Sequence, residues 1–126
     1  MTQRPRIMIA GDDLDALYYV DDLLQELGCR PIKVTSAEDA AEIVGAIRLD
    51  ALIIDLQMFA AASADAIALF LAAHADRPVL WMVPEHIQPD VETSATRCFI
   101  AHPPDLAELE RALAHCVGAV PARAGR

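Results

Sequence analysis

The sequence predicts an α/β domain: a doubly wound (βα)5 fold whose five-stranded parallel sheet has the order 2-1-3-4-5. Three observations carry this. Ala51-Leu52-Ile53-Ile54-Asp55 is an apolar run without alternation, as expected of a strand covered on both faces, and it stops on a carboxylate. Ile7-Met8-Ile9-Ala10-Gly11-Asp12-Asp13 repeats that arrangement with two acids. Between and after these runs, short apolar stretches alternate with segments of helical period, which is the pattern of βαβ units with right-handed crossovers.

Taken in order, the first strand covers Arg6 to Gly11. Leu14, Leu17, Val20, Leu24 and Leu27 then recur at steps of three and four, one face of a helix that Gly28 ends. Asp15, Asp21, Asp22 and Glu26 fall largely off that stripe. Pro31 to Thr35 reads as a half-polar strand. Ser36 caps the next helix, with Glu38 and Asp39 in the first turn and Ala40, Ile43, Val44 and Ile47 inward. Asp50 to Asp55 is the third, central strand. A loop over Leu56–Ala62 leads to a helix from Ser63 to about His74. Pro78 to Val83 is the fourth strand. Pro89 limits the following segment to a short helix over Asp90–Thr96. Arg97 to Ala101 is the fifth strand, and Asp105 to Val117 the last helix, with Leu106, Leu109 and Leu113 inward.

The 126 residues suit one domain, placed at 1–118, with 119–126 a tail or the start of a linker. Apolar residues make up 55% of the chain and aromatics only 5%, so aliphatic side chains and alanines fill the core. A net charge of −9 repels nucleic acid and anionic membranes, and no apolar run approaches a bilayer span. Cys29, Cys98 and Cys116 are scattered, which suggests neither a disulfide framework nor a zinc site, and a cytoplasmic protein is expected.

In this strand order the first and third strands are neighbours, so Asp12, Asp13 and Asp55 reach the same edge of the sheet. A lone acid at such a place often caps a helix. Three together repel one another unless a cation joins them, and oxygen ligands with room for water suit Mg²⁺. His74, His86 and His115 are spread too widely to suggest a second metal site. Met58 and Trp81 read as packing, and one of Tyr18 and Tyr19 should be exposed.

Through Asp12-Asp13, Ile53-Ile54-Asp55-Leu56-Gln57-Met58 and His102-Pro103-Pro104-Asp105-Leu106, residues 6 to 117 resemble the receiver domain of two-component response regulators, the flavodoxin-like fold of the chemotaxis regulator CheY. The resemblance implies that Asp55 is the phosphoacceptor in a phosphorelay. It also implies that Asp13 ligates Mg²⁺ directly, Asp12 through water and Gln57 through its backbone carbonyl. Phe99 matches the family's switch aromatic. A histidine kinase or phosphotransfer protein would donate the phosphoryl group. Output would pass to a downstream protein or output domain by protein contact, with a homodimer through the helices at 90–96 and 105–117 as one form. No enzymatic activity is implied beyond self-catalysed phosphoryl acceptance and hydrolysis.

Two positions depart from the family. Val83 stands where a Thr or Ser hydrogen-bonds the phosphoryl group, and its side chain cannot. His102 stands in place of a lysine and reaches less far. The segment from Val83 to His102 is shorter than usual, and the loop after Asp55 lacks the family's proline and Asp-Gly pair. These changes favour an alternative, a pseudo-receiver acting as an interaction or dimerisation module without phosphorylation. A phosphohydrolase of related topology would want a second acid at position 57, where Gln57 stands.

Overall fold

A computed structural model describes residues 4–60, 77–83 and 97–117. Five strands, β1 (Arg6–Ala10), β2 (Arg30–Val34), β3 (Ala51–Asp55), β4 (Val79–Val83) and β5 (Arg97–Ala101), form one sheet of order β2-β1-β3-β4-β5. Every pairing is parallel. The expected topology is therefore the observed one. The described helices are α1 (Leu14–Glu26), α2 (Ala37–Ala46), α3 (Leu56–Ala60) and α4 (Leu106–Val117).

Strand burial follows position in the sheet. β3 and β4 are buried at every residue, which is why their sequences are apolar without alternation. β2 lies at the edge and is exposed or half-buried except at Val34. Odd and even residues of the strands feed two cores. Met8, Leu52, Ile54, Val79, Trp81 and Val83 pack with the inward face of α2 and with Met58. Ile7, Ile9, Ile53, Leu80, Met82 and Ile100 pack with α1 and with Leu109 and Leu113 of α4.

Helix ends match their sequence signals. Asp13 caps α1 by accepting from Ala16 N–H at 3.2 Å, and Ser36 caps α2 by accepting from Asp39 N–H at 3.1 Å. Gly28 follows α1 with φ of 83°, the left-handed conformation that glycine adopts without a Cβ penalty.

Several local expectations need correction. Leu14 does not join the buried stripe; it is 57% exposed at the first turn of α1, ahead of the packed residues. Asp21, expected off the stripe, is buried, because Lys33 of β2 pairs with one carboxylate oxygen and the Gln25 amide donates to the other. Lys33 Nζ also lies 5.1 Å from the centre of the Tyr18 ring. Both Tyr18 and Tyr19 are exposed. The segment expected to be a loop from Leu56 is helical over Leu56–Ala60, starting directly after β3. The expected helices at 63–74 and 90–96 lie outside the described residues. Among the described residues, no helix is long and apolar enough to cross a membrane.

Candidate functional site

The carboxyl ends of β1 and β3 meet around Asp55. Its side chain is only 3% exposed, at the end of the central strand. Such a carboxylate needs partners, and it has them on two sides. Oδ1 accepts the Gln57 backbone N–H at 2.9 Å, so Asp55 caps the first turn of α3. Oδ2 lies 3.3 Å from His102 Nε2, just past the end of β5. That approach lacks hydrogen-bond alignment, and Nε2 is a buried nitrogen with no hydrogen-bond partner.

The third side of the carboxylate is made by backbone. Gly11 continues β1 and donates its N–H to the Val34 carbonyl at 3.1 Å. A Cβ at this position would lie 3.3 Å from Asp55 Cβ, 3.4 Å from Leu17 Cδ2 and 3.7 Å from Asp55 Oδ2. Glycine is thus what lets the end of β1 close on Asp55. Sequence reading passed over Gly11, although a glycine directly before the acid pair was a visible signal.

Asp12 and Asp13 follow Gly11 and are both exposed. One oxygen of Asp13 is used in capping α1. Gln57 presents its N–H to Asp55. Among the described residues, no three His, Cys, Asp or Glu side chains are gathered as a metal cage. The donor chemistry nevertheless fits Mg²⁺. That ion takes hard oxygen ligands, binds through one or two carboxylates and keeps several waters. Asp12 and Asp13, exposed and directly after Gly11 in sequence, and the buried Asp55 are ligands of that type.

On the other side of the site, Val83 ends β4 opposite Ala101 and is buried in the core with Trp81 and Met58. Phe99 pairs with Trp81 across β4 and β5 and packs half-buried against the same core. Asp105 caps α4 by accepting from Glu108 N–H at 2.7 Å, while Glu108 accepts the Ala101 N–H at 3.1 Å. These contacts hold the turn that carries His102.

The fold that carries these residues is that of solved receiver domains. One is the receiver domain of a sensor histidine kinase from Pseudomonas aeruginosa PAO1, with a TM-score of 0.77 at 21% identity over 93% of this chain and 100% of that one. The chain has the receiver-domain fold. The structure of that Pseudomonas domain holds a magnesium ion in its active-site cleft. A CheY-like receiver domain from Methylobacillus flagellatus matches at TM-score 0.70 and 23% identity, over 88% of this chain and 97% of that one. The non-phosphorylated HemR receiver domain from Leptospira biflexa matches at 0.72 and 18% identity, over 95% and 99%. No protein-family model and no curated protein matches the sequence.

Proposed function

We propose that residues 1–118 are a cytoplasmic response-regulator receiver module that accepts a phosphoryl group on Asp55 from a histidine kinase or phosphotransfer protein. The observation that carries this reading is the buried Asp55 carboxylate at the end of the central strand, walled by Gly11, with Asp12 and Asp13 next in sequence to that wall. A carboxylate oxygen of Asp55 attacks phosphorus, the bond from phosphorus to the donor's imidazole nitrogen breaks, and an aspartyl phosphate forms. Gln57 N–H holds Oδ1, which fixes the rotamer and leaves Oδ2 as the attacking atom. Asp12, Asp13 and Asp55 would hold Mg²⁺, which supplies neutralisation of the charge that gathers on the transferred group. His102 stands in the family's lysine position, with Nε2 3.3 Å from Oδ2, the oxygen at which the phosphoryl group would arrive.

Output passes by protein contact, and not through the usual hydroxyl-to-aromatic coupling, because Val83 offers no hydrogen bond. The test is incubation of the chain with Mg²⁺ and acetyl phosphate, followed by intact mass measurement. A single phosphoryl adduct that is lost in Asp55→Asn is expected; an unmodified chain overturns the reading.

A second reading has its own support. Asp55 already caps α3 and abuts His102, and Val83 is committed to the core, as suits a pseudo-receiver working by contact alone. Normal signalling by Asp55→Asn in cells would favour it.

A further inference from the structure

The opposite edge of the sheet carries its own charged recess. Arg4, Arg6, Arg48 and Asp50 line a cavity of about 200 Å³ where β1 and β3 begin. Its acid is already engaged: Asp50 Oδ2 accepts the Arg6 N–H at 2.8 Å, while Asp50 N–H donates to the Arg6 carbonyl at 2.8 Å. This reciprocal clamp ties the chain before β3 to the start of β1 and fixes the Asp50 side chain on backbone. Among the described residues, the guanidinium groups of Arg4, Arg6 and Arg48 form no ion pair. Arg30 begins β2 in register with Arg6, so the positive charge extends along this edge.

Such an arrangement runs against the charge of the chain. Acids outnumber Lys and Arg by 19 to 10, yet three arginines share this recess with a single carboxylate, that of Asp50. Like charges gathered this closely repel one another, and a bound anion relieves that repulsion. Guanidinium forks match the oxygens of phosphate in paired hydrogen bonds. The cavity holds several waters' worth of volume, enough for a phosphate group with part of its hydration. Among the described residues, no aromatic or aliphatic side chain lines it, and the lining offered is that of charged groups.

We infer that this recess binds a small phosphate-type anion, free inorganic phosphate or pyrophosphate being the simplest, at the edge of the sheet remote from Asp55. The site is independent of phosphoryl acceptance. The experiment is calorimetric titration of the whole chain carrying Asp55→Asn, which removes the acceptor carboxylate from the reading, with phosphate and with pyrophosphate at low ionic strength. One saturable site is expected. Arg4→Gln and Arg48→Gln, both at exposed positions and checked for native circular dichroism, should each weaken it about tenfold, the loss of one charge-assisted hydrogen bond. No saturable binding overturns the inference, as does unchanged affinity in the Arg4→Gln/Arg48→Gln double variant. Binding of a phosphoserine peptide without binding of the free anions overturns the small-ligand assignment.

Discussion

At the ends of β1 and β3 the chain places a glycine and three acids, while at the ends of β4 and β5 it places Val83 and His102. The first pair of strand ends closes around a carboxylate. Gly11 gives it space, Gln57 N–H orients it, and the exposed Asp12 and Asp13 follow Gly11 in sequence. The second pair faces mostly inward: Val83 belongs to the hydrophobic core, and His102 buries a ring nitrogen that has no hydrogen-bond partner. On the proposed function, acceptance of a phosphoryl group would draw on the first pair, and transmission along the sheet would need a polar link in the second, where the Val83 side chain offers no hydrogen bond.

The largest effect expected from breaking this contrast is at Gly11. In Gly11→Val the new Cβ and methyls enter space bounded by Asp55 and Leu17. Overpacking of this kind costs about 1–3 kcal/mol. Urea unfolding should show that loss, and intact mass after acetyl phosphate treatment should show no adduct, because a methyl group would stand against Asp55 Oδ2. Full stability together with full labelling would mean that the wall around Asp55 is not as close as the geometry makes it.

Val83→Thr should act in two opposite directions. The hydroxyl enters a hydrophobic cluster, and an unpaired buried hydroxyl costs roughly 1–3 kcal/mol of unliganded stability. With a phosphoryl analogue and Mg²⁺ bound, that hydroxyl gains a charged acceptor, which strengthens analogue binding about tenfold. Fluorescence of Trp81, the chain's one tryptophan and a neighbour of Val83 in the same core, can follow the titration. Unchanged affinity would show that a missing hydroxyl is not what silences the β4 side.

The topology was legible because it depends on features that survive in one dimension: uniform burial of β3 and β4, caps at Asp13 and Ser36, and a glycine after α1. The position of Asp55 at the carboxyl edge follows from the same pattern. What periodicity could not reveal were contacts between segments distant in sequence. Asp21 is buried because Lys33, on another element, neutralises it. The start of α3 directly after Asp55 depends on that carboxylate serving as a cap, a role no propensity of Leu56 or Gln57 announces. His102 was identified by its neighbours Pro103 and Pro104, but its unpartnered nitrogen is a matter of three-dimensional alignment. The arginine recess was invisible for a similar reason, since Arg4 and Arg48 meet only through the pairing of β1 with β3.

The smallest expected effect is at Phe99, and its smallness is informative. Phe99 lies beside Trp81 and packs half-buried against the core that contains Val83. Where a hydroxyl on β4 draws toward a phosphoryl group, the aromatic ring can follow into the vacated space, so trimming the ring changes the coupling. On the proposed function, the Val83 side chain makes no hydrogen bond to a phosphoryl group at Asp55, so filling the site is expected to leave the relative energies of the ring's rotamers unchanged. A ligand shifts an equilibrium only by its differential interaction with the two states. Phe99→Leu should therefore cost less than about 1.5 kcal/mol as a hydrophobic swap. Analogue affinity should stay within about twofold of the parent, since no coupling free energy connects the two positions. Repeating the substitution in the Val83→Thr background closes the cycle: a change in affinity that appears only there would locate the lost link at position 83, and a change in the parent background would show that Phe99 is coupled to Asp55 by another path.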